Sequence, residues 1–226
     1  MDTGRGIGYV PRNEEVTMKA GLMLVVVVLV ILLLTVGLIV VGGYNGMVSK
    51  AQVVDMAWAQ VQNVYQRRAD LIPNLVATVS GAANFEKSTL TEITAARASV
   101  GQVKLDPNSA PNDPAQLAAF QKAQQQLSGA LSRLMVVVER YPDLKATSNF
   151  RDLQAQLEGT ENRITVERQK FNEAVMTYNT AVTTFPNVLI AGRYGFKAKP
   201  YFAAEAGAEK PPRVQFDFGG KSAPAK

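Results

Sequence analysis

Between Lys19 and Lys50 the chain carries no charged residue, and Leu22 to Val41 is almost wholly Val, Leu, Ile and Gly. A run of about 20 apolar residues crosses a hydrocarbon core of roughly 30 Å. The run is longer than the apolar region of a signal peptide, and no small-x-Ala pattern follows it. Val41 to Gly43 is the nearest approach to a cleavage site, and there is no cysteine for a lipid anchor. An uncleaved transmembrane helix is therefore expected. Arg5, Arg12 and Lys19 precede it, while only Lys50 follows closely, which places the amino terminus in the cytoplasm. Tyr44 suits the membrane interface. Gly42 and Gly46 form a G-x-x-x-G at the outer edge, which permits a second helix to approach or simply loosens the joint.

Beyond this run the dominant signal is helical periodicity. Trp58, Tyr65, Ile72 and Val79 recur every seven residues, as do Phe120, Leu127, Leu134 and Tyr141, and again Leu157, Ile164, Phe171, Tyr178 and Phe185. A strict seven-residue repeat keeps one apolar seam facing a partner helix. No stretch alternates as a half-buried strand would. The expected fold is all-α: one N-terminal transmembrane helix continuing into an antiparallel four-helix, up-down bundle, with an irregular C-terminal tail.

Capping chemistry sets the boundaries. The first helix is expected to continue from the span to about Ala83, and Asn84 or Ser88 to cap a second over Thr89–Val103. The prolines, Asn and Asp of Leu105 to Pro114 make a loop. Asp113 before Pro114 starts the third helix, which ends at Tyr141-Pro142. Ser148 or Asn149 caps the fourth, which stops at Phe185-Pro186. In the tail, Phe196, Tyr201, Phe202, Phe216 and Phe218 are candidates to dock on the bundle.

Polar residues interrupt two of the apolar stripes. Val54, Val61, Arg68 and Leu75 form one, and Glu161, Arg168, Val175 and Val182 the other. With the first and fourth helices antiparallel and Val48 level with Phe185, Arg68 falls opposite Thr165 and Asp70 opposite Arg163. A cross-helix charge layer of Arg67, Arg68, Asp70, Glu161, Arg163 and Arg168 is expected, with Gly159 letting the backbones close up. Its plainer role is fixing register, since buried charges are retained mainly where paired. An excess of arginine would also suit an anion or ligand site. Pro73 lacks an amide donor and clashes one turn back, so a kink or local break is expected there, with Asp70 as an internal cap.

The remaining composition narrows the function. Zero cysteines and zero histidines in 226 residues remove thiolate nucleophiles, thiolate metal sites and every histidine-containing triad. A Ser–Lys hydrolase is left as a formal option on Ser88, Ser128 or Ser132, but none sits in a nucleophile-elbow context. No phosphate-binding loop is present. The net charge of +5 is spread without a dense basic patch between aromatics, so no nucleic-acid partner is expected. No catalytic residue, metal ligand or cofactor is expected.

Several blocks carry a resemblance: Tyr44-Asn45, AWAQVQNVYQRRADLIPNLV from Ala57, TLTEITAARA from Thr89, LSGALSRL from Leu127, YPDLKATSNF from Tyr141, LEGTENRI from Leu157, FNEAVMTYN from Phe171 and FPNVLIAGRYGFKAKPYF from Phe185. In order and ungapped from about Tyr44 to Phe202, they resemble the LemA family. The resemblance implies a membrane-anchored antiparallel helical bundle and no established enzymatic activity. One branch of that family is associated with membrane invagination during magnetosome formation, and members often neighbour genes for membrane peptidases. The expected organisation is a cytoplasmic segment 1–19, a transmembrane helix 20–43, a bundle 44–186 and a tail 187–226. The expected setting is the bacterial inner membrane, single-pass, with the bundle periplasmic. The expected role is a non-enzymatic scaffold of the cell envelope, self-associating as a homo-oligomer and organising membrane or recruiting envelope proteins. The alternative is an adaptor or anion-binding module serving a membrane protease or other partner.

Overall fold

The computed structural model describes residues 13–82, 85–106 and 109–203. Helix α1 spans Asn13–Ser80, α2 Lys87–Gln102, α3 Pro114–Val138, α4 Pro142–Ala146, α5 Ser148–Thr183 and α6 Val188–Ala191, with no strand among the described residues. Membrane-type sequence and bundle sequence share one unbroken helix, α1. Its first half is apolar and long enough to cross a membrane, and none of that stretch is buried against protein. The hydroxyl of Thr35, in the middle of this stretch, donates to the Ile31 carbonyl at 2.8 Å. In a bilayer that bond would satisfy the hydroxyl within its own helix.

The ladders are the core. Trp58, Tyr65, Ile72 and Val79 are buried on α1; so are Phe120, Leu127 and Leu134 on α3, and Leu157, Ile164, Phe171 and Tyr178 on α5. Each buried aliphatic or aromatic side chain contributes about 1.5–3 kcal/mol. Two ladder ends depart from expectation. Tyr141 is only half-buried, and Phe185 is exposed because α5 has already ended at Thr183. Phe185 therefore gives no level for the helix pairing. Trp58 meets Phe171 and Arg68 meets Glu161, one helical turn from the expected opposition of Arg68 and Thr165. The same antiparallel register brings Asn187 to Gly43.

Of the expected caps, Asp113 holds, while Ser88 falls inside the first turn of α2. The Asp113 carboxylate accepts from the Ala115 amide at 2.8 Å with Pro114 in the first turn of α3. Thr147, one residue before the expected candidates, caps α5 by accepting from the Phe150 amide at 3.3 Å. α2 begins after Glu86 without a side-chain cap, and Asn84 lies outside the described residues. The α4 turn fills the interval between Tyr141 and Thr147.

Three glycines change meaning. Gly159, Gly42 and Gly46 each have nothing within 4 Å of where a Cβ would stand. Gly159 thus does not close the helix pair, and Gly42 and Gly46 face open space rather than another part of this chain. Gly43 is the close-approach glycine: a Cβ there would lie 2.5 Å from Asn187 Oδ1.

Pro73 sits inside α1 without breaking it, and Asp70 accepts from Gln66 Nε2 within the helix instead of capping a new segment. Proline cannot donate to the carbonyl four residues back, here that of Ala69. Arg97 of α2 supplies the missing donor, its Nε lying 3.1 Å from Ala69 O. Proline's cost in α1 is thus offset by a tie between two helices. Arg97→Ala should destabilise the full chain by about 1 kcal/mol. The same change in a Pro73→Ala background should cost less, because the helix then satisfies Ala69 itself; thermal unfolding of the four proteins in detergent measures the difference.

Candidate functional site

The apolar core divides in two. One cluster gathers Val54, Trp58, Val61, Tyr65, Phe120, Ile164, Phe171 and Val175; the other gathers Ile72, Leu75, Leu127, Leu134, Phe150 and Leu157. Between them α1 contributes Arg68, α3 Gln124 and Ser128, and α5 Thr160 and Glu161. Arg68 is 1% exposed, although charged.

Its guanidinium is almost fully engaged. Nη1 donates to Ser128 Oγ at 2.9 Å and to Glu161 Oε2 at 2.9 Å. Nη2 donates to the Gln124 carbonyl at 3.4 Å and to the Gln124 side-chain oxygen. The plane lies over the Tyr65 ring, 5.1 Å from its centroid. Only Nε, buried, has no hydrogen-bond partner. The Glu161 side chain is 50% exposed, so the pair joins a desolvated cation to a half-solvated anion. Above it is a cleft of about 360 Å³ lined by Arg68, Gln121, Gln124, Ser128, Glu161 and Arg168.

Of the six expected charge-layer residues, the structure brings Arg68 and Glu161 together and sets Arg168 at the rim. Arg67, Asp70 and Arg163 are exposed, and the Asp70–Arg163 pairing does not form. The one-turn shift in register removes their opposition. Asp70 also lies two residues beyond Arg68, about 200° around the helix, and so points away from the seam.

Arg168 has a different task. Its Nη2 donates to the Ala203 carbonyl at 2.9 Å, and its guanidinium lies 5.0 Å from the Phe202 ring centroid. Here it joins a device that periodicity did not announce. The extended segment 199–203 is held by three side-chain amides, each donating to a backbone carbonyl and accepting from the amide of the same residue. Asn179 pairs with Lys199 at 2.9 and 2.8 Å, Asn172 with Phe202 at 3.2 and 2.9 Å, and Gln121 with Ala203 at 2.9 and 3.3 Å. The spacing of Asn172 and Asn179 on α5 was the available signal, because residues seven apart share a helix face.

The strap has a buried anchor. Lys199 Nζ lies 3.1 Å from Asn112 Oδ1, 3.4 Å from the Ala110 carbonyl and 3.6 Å from Asp55 Oδ1. Asp55 also accepts from the Ala110 amide at 2.9 Å, so one carboxylate ties α1, the loop before α3 and the tail. Phe202 packs against Phe171 and stacks on Trp58, as the sequence anticipated for a docking aromatic; Tyr201 is exposed, and Phe216 and Phe218 lie outside the described residues. Tyr178, beside Lys199, has its pKa raised by burial and by the charge of Asp55, against a backbone hydrogen bond with Lys197 that lowers it.

This chemistry suits holding rather than transforming. Ser128 Oγ accepts from a guanidinium, which does nothing to activate it as a nucleophile. Among the described residues no three His, Cys, Asp or Glu side chains converge as metal ligands.

Glu161→Ala should destabilise by about 2 kcal/mol, below the 3–5 kcal/mol of a fully buried pair because water reaches Glu161. Arg68→Met should destabilise by about 1–3 kcal/mol, because the buried Gln124 side-chain oxygen loses its donor. Thermal unfolding of the full chain in detergent checks the Glu161 and Arg68 variants. For Tyr178, the folded chain keeps its proton after the unfolded chain has lost it. Its contribution is intact below the ordinary tyrosine value of about 10 and is lost as pH rises through the folded value. Tyr178→Phe should therefore flatten the alkaline part of the midpoint-versus-pH curve.

The sequence model described as the LemA family matches residues 57–216. The chain is 35% identical over 82 residues to "Magnetosome protein MamQ" of Magnetospirillum gryphiswaldense, covering 36% of this chain and 30% of that protein. The same identity and coverage relate it to "Magnetosome protein MamQ 2" of Paramagnetospirillum magneticum. It is 24% identical over 154 residues to "Protein LemA" of Metamycoplasma hominis, covering 67% of this chain and 66% of that one. The matched part thus spans under a third of the magnetosome relatives' length.

Proposed function

Because the chain belongs to the LemA family, we propose that it is a membrane-anchored, non-enzymatic scaffold of the bacterial cell envelope. Its four long helices form an up-down bundle held at the outer face of the cytoplasmic membrane, with the amino terminus inside. The observation that carries this reading is the continuity of α1, which passes from an exposed apolar stretch into a packed seam without leaving the helix. A helix shared between anchor and bundle transmits orientation, which a flexible linker would not. Self-association is supported by Gly42 and Gly46, whose open faces lie where a second copy of the helix could approach. Relatives named as magnetosome proteins fit a part in organising membrane.

A second reading, a module binding an anion for a partner such as a membrane protease, is favoured by the orphaned Arg68 Nε beneath a polar cleft with Arg168 at its rim. Extraction of the full chain in mild detergent followed by mass measurement separates the two. A homo-oligomer that Gly42→Ile with Gly46→Ile reduces to smaller species supports the scaffold. A monomer with one co-purifying partner, or a thermal shift with inorganic phosphate that Arg68→Met abolishes, supports the second reading.

A further inference from the structure

The segment after α5 folds back onto α1 where the apolar run ends. Asn187 and Ile190 sit against Gly43, with Asn187 Oδ1 occupying the space a Cβ would need. Tyr44 makes edge contacts with Tyr194 and Phe196, at centroid distances of 5.2 and 5.6 Å. Ala191 is buried in the cluster that includes Met47.

Height follows from helix geometry. The apolar run closes at Val41, and a helix rises about 1.5 Å per residue, so contacts at residues 43–47 lie roughly 3–9 Å beyond it. A headgroup layer is about 5–8 Å thick, the difference between a core of roughly 30 Å and a whole bilayer of about 40–45 Å shared between two faces. Whatever packs on α1 at this level lies within or against that layer.

The outward side of this segment is apolar. Phe185 is 74% exposed and Leu189 72%, with Val188 and Tyr194 about half exposed between and after them. Among the other described residues outside the span, Val53 and Met56 form the nearest such pair on a helix, and neither is as exposed as Phe185 or Leu189. The charged residues among 185–199 are all basic, and Arg193 and Lys197 are exposed. Apolar side chains beside lysine and arginine, next to the exit of a membrane helix, match the boundary between acyl chains and phosphates.

We propose that residues 185–197 form a second, peripheral membrane contact. Phe185, Val188 and Leu189 seat in the headgroup–acyl boundary of the leaflet from which α1 emerges, and Arg193 and Lys197 meet lipid phosphates. The inference rests on α1 being inserted. A single helix leaves the bundle free to rotate about its axis, and a contact beside that axis fixes which face turns to the membrane.

The absence of cysteine makes the test direct. Full-length Leu189→Cys, Leu29→Cys and Val136→Cys are each labelled with a nitroxide and reconstituted into vesicles of phosphatidylcholine and phosphatidylglycerol. Collision with oxygen, which concentrates in lipid, is compared with collision with a water-soluble nickel chelate. The expected result is loss of nickel access at position 189 with oxygen access retained, between the lipid pattern at 29 and the water pattern at 136. A position 189 indistinguishable from 136, while 29 remains in lipid, overturns the contact. Position 189 shielded from both reagents also overturns it, because protein then covers the surface. Nickel access at 29 would overturn the inserted helix itself, and this contact with it.

Discussion

Every level in the bundle is set by the antiparallel seam of α1 on α5. Trp58 packs against Phe171 nearer the apolar stretch of α1, and Arg68 reaches Glu161 farther along the helix. An aromatic side chain buries about 150–250 Å², so the Trp58 layer alone resists sliding. A displacement of one turn would also part Arg68 from its partners and strand a buried cation, which an apolar seam would not penalise. A buried charge therefore opposes slippage more strongly than an apolar side chain of the same size would.

The tail completes what the seam begins. Side-chain amides on α5 and α3 treat residues 199–203 as a strand treats its neighbour, and those of α5 satisfy backbone groups of the buried Lys199 and Phe202. The strap covers Trp58 and Phe171 with Phe202, and Lys199 closes the gap beside Asp55. Its last described residue, Ala203, is bound by Gln121 and Arg168, two of the residues that line the Arg68 cleft. Cleft and strap are thus joined through Gln121 and Arg168.

Pro73 illustrates how a local defect becomes a tertiary contact. The ring removes a donor within α1, yet the helix runs through it because Leu71, Ile72 and Leu75 remain buried and Arg97 reaches the orphaned carbonyl. A break was the reasonable expectation from α1 alone. The compensating donor comes from another helix, twenty-eight positions along the chain.

What the sequence determined by itself was whatever depends on residue spacing and composition. The helical periodicity of the ladders through Trp58, Phe120 and Leu157, the Asp113-Pro114 start and the place of Arg68 in an apolar stripe are periodic or local signals, and the structure keeps them except at the ladder ends Tyr141 and Phe185. Only the tertiary structure decided which charges meet, because Arg68–Glu161 and the separation of Asp70 from Arg163 turn on a shift of one helical turn. Periodicity gives a helix its face and leaves its axial position free. That position came from contacts between distant segments: Asn187 on Gly43, Trp58 on Phe171 and the strap on α5.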